Sequence, residues 1–188
     1  MSSTITKRAL FNALQELLKT RPTDKITISE ITEACGVNRM TFYYHFKDIY
    51  DLVEWMCEDL AKDILKDHVT YNTWQEGFLD VFLALINYKP IVLHVYNSVS
   101  REQLERYLFK VTYKFLISVI NEEAKDYSVK ESDLAFVANF YKYGFVGIVL
   151  DWIKRDMKDD PVKIIEHLNT MIRGDFKKAI QRYSVSSK

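Results

Sequence analysis

Four tetrads of the form Ser/Thr-x-x-Glu/Gln, each heading an apolar run with helical spacing, constrain this chain more than any other feature: Thr27 to Glu30, Thr73 to Glu76, Ser100 to Gln103 and Ser128 to Glu131. In such a tetrad the hydroxyl accepts from an amide three residues on, and the acid or amide side chain reaches back to the first residue's N–H, so free donors at a helix start are satisfied reciprocally. Helices are therefore expected to begin just after Thr27 and near residues 73, 100 and 129. Asp160-Pro161 marks another start, a capping acid followed by a proline whose missing N–H costs nothing in a first turn. Leu10, Ala13, Leu14, Leu17 and Leu18 give an amphipathic helix over about 5–20, ended by Arg21-Pro22, and Lys89-Pro90 interrupts the segment between 73 and 98. With 5 Gly and 3 Pro in 188 residues and no strand-like alternation, the expected fold is all-α, with about nine helices and a last one over 161–183.

The segment around residue 36 carries the functional signal. Ile28, Ile31 and Ala34 form the inward stripe of a short helix that Gly36 ends, Asn38 caps a second over 39–46, and Asp48 caps a third over about 49–67. Two short helices across a Gly-Val turn make a helix-turn-helix. In that motif the second helix enters the major groove and its N-terminal side chains meet base edges. Arg39 and Thr41 are the expected base readers, since Arg pairs bidentately with guanine and Thr bonds a base or touches a thymine methyl. Met40 adds apolar contact, and Asn38 at the helix head is counted with this group. Thr27, Tyr43, Tyr44, His45 and Lys47 suit phosphate oxygens, which position a protein without reading sequence. Phe42 and Phe46, four apart, belong to the small core, and His45 reads either as a phosphate ligand or as a packing residue.

The string Gly36-Val37-Asn38-Arg39-Met40-Thr41-Phe42-Tyr43-Tyr44-His45-Phe46 resembles the recognition-helix signature of the TetR/AcrR family of transcriptional regulators, and the likeness extends over roughly Leu10 to Leu60. It implies a homodimer on double-stranded operator DNA, with residues 1–48 as the DNA-binding domain and 49–188 as an effector-binding and dimerisation domain. Two positions depart from the pattern. Ile49 stands where members commonly have Lys, and Met40 replaces a residue that is often small. The stretch from Tyr143 to Ile148, with Trp152-Ile153, is loosely similar to a subgroup that includes activators of dihydroxyacetone kinase operons, so activation stays open beside repression.

The resemblance implies a small-molecule effector for the larger half, and its identity is not written in the sequence. Binding sites of that kind are apolar with a few aimed polar groups, so Trp74, Phe78, Phe82, His94, Tyr113, Asn139 and Tyr143 are the candidate pocket residues; His94 reads equally as a satisfied core histidine. The last two helices resemble the intersubunit bundle of the family. Gly144 and Gly147 would allow close backbone approach, and Phe145, Ile148, Trp152, Ile165, Leu168 and Ile172 form the expected dimer seam.

The remaining features narrow the class. Residues 1–50 hold seven Lys/Arg against five acids in a chain of zero formal net charge, too weak an excess to argue for a polyanion by itself. Cys35 and Cys57 lack metal or redox spacing and the N-terminus lacks an apolar leader, which suits a reduced cytoplasmic compartment. Leu134 to Ile153 is long enough to cross a bilayer, but Asn139, Lys142 and Asp151 are costly there, so no membrane partner is expected and the helix is read as buried on two sides. No phosphate loop, nucleophile elbow or HExxH is present and the four His are scattered, so neither an enzyme nor a metal site nor a cofactor is expected. The alternative to a DNA-binding regulator is a helical protein-interaction module.

Overall fold

The computed structural model describes residues 3–68, 70 and 72–185. Among them are ten α-helices and no strand: α1 Ser3–Leu18, α2 Ile28–Ala34, α3 Arg39–His45, α4 Ile49–Leu65, α5 Trp74–Asn87, α6 Lys89–Ser98, α7 Arg101–Glu123, α8 Glu131–Lys154, α9 Pro161–Ile172 and α10 Asp175–Val185, with a 3-10 turn at Thr23–Lys25. The tenth helix arises because the expected last helix is cut at Gly174, whose φ of +78° is left-handed.

The tetrads are formed to different degrees. Thr27 and Glu30 make the full reciprocal box, and Ser100 accepts from the Gln103 N–H at 3.2 Å while donating to its side chain at 3.0 Å. Thr73 precedes Trp74 as expected, yet its hydroxyl lies 2.7 Å from that of Thr70. Ser128 is not a cap: α8 begins three residues later, at Glu131, behind Lys130, which makes no side-chain cap, and Glu131 and Asp133 place negative charge in the first turn where the helix dipole favours it. Asp160 caps α9 through the Val162 N–H at 3.0 Å, with Pro161 next.

The chain divides into two compact units. One comprises residues 1–60 and 87–107, the other 61–86 and 108–188. In the first, α1 packs on α2, α3 and α6 around Leu10, Leu14, Leu18, Ile31, Phe42 and Leu52, all fully buried. Polar ties join its more distant segments. The His94 ring lies with Nδ1 2.6 Å from the Leu18 carbonyl at the end of α1, the Thr23 N–H donates to the Ser98 hydroxyl at 3.1 Å, and the Tyr107 hydroxyl donates to the Tyr50 carbonyl in the first turn of α4 at 3.1 Å. Burial, with the neighbouring Glu54 carboxylate, pushes the Tyr107 phenol up to about 12, so it stays a donor at any ordinary pH.

The second unit has an aromatic core. Phe145 meets Phe78 at 4.7 Å and Trp74 at 5.6 Å between ring centroids, Phe82 meets Trp152 at 4.7 Å, and Tyr141 meets Phe176 at 4.7 Å. The Phe78 pair is tilted and the other three are edge-to-face, contacts that add to an already large burial. α8 is long and apolar enough to cross a membrane, but Val137, Ala138, Phe145, Val149 and Trp152 on one side of it are buried in this core.

Candidate nucleic-acid interface

The turn between α2 and α3 is built from backbone bonds. The Gly36 N–H donates to the Glu33 carbonyl at 3.2 Å and the Val37 N–H to the Thr32 carbonyl at 3.0 Å, the paired pattern that ends a helix with a left-handed residue, and Gly36 supplies it with φ +68°. Nothing would obstruct a Cβ there, so glycine is required by its backbone angle alone. Two residues on, the Asn38 side chain accepts from the Thr41 N–H at 2.8 Å and from the Thr41 hydroxyl at 3.0 Å, which starts α3.

α3 then turns its faces apart. Phe42 and Phe46 are buried, 5.9 Å apart between centroids, and Phe46 meets Trp55 of α4 at 6.0 Å. Asn38, Arg39 and Tyr43 are exposed, as are Met40 at 76% and Tyr44 at 82%. Apolar side chains open to that extent bury little surface in the fold. Among the described residues no carboxylate pairs with Arg39, which leaves its guanidinium fork available. Thr41 and His45 are half-buried, and the His45 ring is held edge-on by Tyr44 at 4.9 Å. At the far end Asp48 caps α4 through the Asp51 N–H at 2.8 Å, and the Asp51 carboxylate takes the Lys47 N–H at 3.0 Å, so the exposed Lys47 is anchored by its backbone.

Thr27 is exposed, but its hydroxyl donates to Glu30 at 2.8 Å. Glu30 also holds Arg21 at 2.7 Å, and the Arg21 bond, followed by those from Thr27, lowers its carboxyl to about 2. Lys7 of α1 lies over the rings of Phe46, at 5.5 Å, and Trp55, beside the corner where Ile49 provides no cation. The two thiols are kept protonated: burial raises Cys35, and burial followed by the Glu54 and Glu58 carboxylates raises Cys57 to about 12.

One model, "Bacterial regulatory proteins, tetR family", matches residues 10–56, and a second, "Transcriptional regulator C-terminal region", matches residues 72–174. The chain belongs to the TetR family. It is a transcriptional regulator and not an enzyme. Among its relatives is the HTH-type dhaKLM operon transcriptional activator DhaS of Lactococcus lactis, 22% identical over 156 residues that make up 81% of this chain and 82% of that protein. A solved structure of a dihydroxyacetone kinase operon activator DhaS superposes with a TM-score of 0.69 at 19% identity, covering 93% of this chain and 97% of that one. NalD of Pseudomonas aeruginosa, described as the secondary repressor of the MexAB-OprM multidrug efflux pump, superposes with a TM-score of 0.58 at 18% identity over 92% and 97% of the two chains. At these identities the structures share the fold.

The expected pocket residues are placed in three different settings. Trp74, Phe78 and Phe82 are core, because aromatic rings at that spacing fill the inward stripe of α5 and stack on Phe145 and Trp152. His94 belongs to the other compact unit, tied to Leu18. Tyr113, Asn139 and Tyr143 do come together, around Lys142, which the sequence marked only as a charge costly in a membrane helix. The Lys142 ammonium lies 4.8 Å from the Tyr143 ring centroid, 5.2 Å from Phe109 and 5.9 Å from Tyr113, and donates to the Asn139 amide oxygen at 2.9 Å. The available signal was a lysine at four-, three- and seven-residue intervals from Ala138, Phe145 and Val149, a charge in an otherwise apolar stripe.

The expected dimer seam needs correction. Phe145, Trp152, Ile165, Leu168 and Ile172 are buried inside the subunit's own core and offer no side chain to a partner, and Ile148 is half-buried. The outward face of α8 instead presents Phe136 at 62% exposure, Phe140 at 66%, Tyr143 at 61% and both Gly144 and Gly147. α9 adds Val162 and Met171.

Proposed function

We propose that this regulator binds a palindromic operator as a homodimer in the cytoplasm, and that a small-molecule effector changes its affinity for that operator. Residues 1–48 contact DNA, and 49–188 carry dimerisation and the effector response. The observation that carries the proposal is the segregation of α3, with Phe42 and Phe46 buried and Arg39, Met40, Tyr43 and Tyr44 open to solvent at its head and side. Arg39 and Thr41 read bases with Met40 as an apolar contact, and Tyr43, Tyr44, His45, Lys47 and the Thr27 end of α2 meet phosphates. Since Asn38 holds the Thr41 hydroxyl, Thr41 offers a base its methyl before its hydroxyl.

A two-fold dimer is supported by the outward α8 face. Phe136 and Phe140 are more than half exposed in a single subunit, and a Cβ at Gly144 or Gly147 would meet nothing of the same chain within 4 Å. Mid-helix glycine costs roughly 1 kcal/mol against alanine. Intrachain packing gives no return for that cost, and the close approach of a second α8 would. Paired recognition helices then meet half-sites about 34–36 Å apart, one turn of DNA.

The effector response is a population shift: a ligand that favours one arrangement of the C-terminal half moves α4, and with it the separation of the two α3 helices. α7 is suited to carry this, because it holds Tyr107, bonded to the first turn of α4, and also Phe109 and Tyr113 beside Lys142. The regulatory sense we assign is repression, by occupancy of a promoter. Activation is the second reading, favoured by the likeness to the DhaS activator.

Selection of binding sites from random DNA tests the whole reading. The expected product is an inverted repeat whose affinity falls steeply with salt, as phosphate contacts release counterions. No enriched sequence, or affinity indifferent to salt, would leave an interaction module as the better account.

A further inference from the structure

Lys142 sits on the packed side of α8, in register with the buried Ala138, Phe145 and Val149, and is itself half-buried. A cation in such a place is ordinarily paired with a carboxylate. Here, among the described residues, its polar partner is the neutral Asn139 oxygen at 2.9 Å, and that amide is fixed in turn by its own Nδ2–H donating to the Ala135 carbonyl at 2.9 Å. One of three ammonium N–H groups is thereby satisfied, and the ammonium otherwise lies among the rings of Phe109, Tyr113 and Tyr143. Ring faces stabilise a cation but do not neutralise it.

We propose that Lys142 anchors the carboxylate of a small aromatic acid, and that this cage is the effector site of the regulator. The positive charge is present before the ligand arrives and held in one orientation by Asn139, so little ordering is left to oppose binding. In the single subunit the cage is open on one side, since Tyr143 is 61% exposed while Phe109 and Tyr113 are half-buried; that opening lies at the edge of the outward α8 face, so in the dimer the ligand sits beside the seam. An anion is repelled by ring faces and must reach the ammonium from that open side, with an aromatic body then lying against Tyr143 in an offset or edge contact. A singly charged carboxylate matches the charge of the Lys142 ammonium. A dianionic phosphate would bring an uncompensated charge against three aromatic rings. The inference rests on the ligand-responsive reading above and names the class of ligand.

The test uses benzoate and its neutral isostere benzamide, titrated into the full-length protein and followed by ligand-observed NMR. Benzoate should saturate at about millimolar affinity, as befits a ligand of that size. Benzamide should bind at least about tenfold more weakly, since it lacks the charge-assisted bond. Lys142→Met keeps the apolar stem and should lose benzoate binding by a similar factor, whereas Lys142→Arg should retain it. Equal binding of the two probes to the wild-type protein overturns the proposal without any variant, and so does the absence of saturable benzoate binding. Operator binding by unliganded protein is measured alongside. If it is intact while benzoate fails, only the ligand class falls; if benzoate binds and no operator is found, the anion site stands and the regulatory reading falls.

Discussion

Arg39 and Lys47 bracket α3, and the physical chemistry of their two expected contacts differs in a way that binding data separate. Arg39 precedes the buried Phe42 by three residues and pairs with no carboxylate among the described residues, so its fork is available for a guanine edge. Removing it by Arg39→Ala should cost about 1–3 kcal/mol at the selected operator and relax preference at one base pair, leaving nonspecific binding nearly unchanged. Lys47 is anchored through its backbone N–H to Asp51 and contributes a bare charge. Lys47→Ala should weaken all DNA sequences about equally and reduce the slope of log affinity against log salt by roughly one. A gel-shift titration at several salt concentrations reads both, and a Lys47 variant with an unchanged slope would remove that residue from the phosphate set. These exposed positions could be read from the sequence because the two Phe residues four apart fix which side of a short helix is inward. Lys142 could not, because its significance comes from Phe109 and Tyr113, some thirty residues away in sequence and adjacent only once α7 and α8 pack.

Among the elements, α2 depends most on polar detail, since its seven residues bury little and its start is held by Thr27 and Glu30. The Arg21 bond, then those from Thr27, lower the Glu30 carboxyl from 4.5 to about 2, which fixes the sign of its pH dependence. A carboxyl with a depressed folded value stabilises the native state above its unfolded value and loses that contribution as pH falls through the folded one. Glu30→Gln should therefore melt below the wild-type protein at pH 7, and the gap between their melting temperatures should close between about pH 4.5 and 2. Melts by circular dichroism at stepped pH would show it; a gap that stays constant to pH 2 would mean that the charge is irrelevant and only the amide-compatible geometry matters. Gly36 offers the complementary backbone test. At φ +68° a Cβ costs roughly 1–2 kcal/mol, so Gly36→Ala should lower stability by about that amount, with Gly36→Asn milder because Asn tolerates left-handed angles. Gly36 and the first tetrad were readable because cap and turn chemistry is local. The Ser128 tetrad misled for the same reason: Glu131 and Asp133 favour a start at 131 through the helix dipole, and a four-residue pattern does not register that competition.

At the scale of the whole molecule, α8 poses the question that periodicity cannot answer. Its inward stripe of Val137, Ala138, Phe145, Val149 and Trp152 and its outward pair of Phe136 and Phe140 are both apolar, so the helix has two hydrophobic faces and sequence does not say which one another subunit would cover. Folding of the single subunit separates them, and the two sets should fail in different ways when altered. Phe145 is packed by Trp74 and Phe78, so Phe145→Ala should cost about 3–5 kcal/mol through transfer and cavity terms and lower the melting temperature at every protein concentration. Phe140 is 66% exposed in the subunit, so Phe140→Glu leaves that core intact and places a charge, with its symmetry mate, in the proposed seam. Light scattering should then give one subunit mass for Phe140→Glu and twice that mass for the wild-type protein. The wild-type melting temperature should rise with concentration by mass action, whereas that of the variant should not. Operator affinity should fall in the variant although every DNA-contacting side chain is unchanged, because one recognition helix reads only half of a palindrome. A Phe140→Glu protein that stays dimeric with full operator affinity would move the seam off this face of α8, and the exposed aromatics and the two open glycines would then lack a physical explanation.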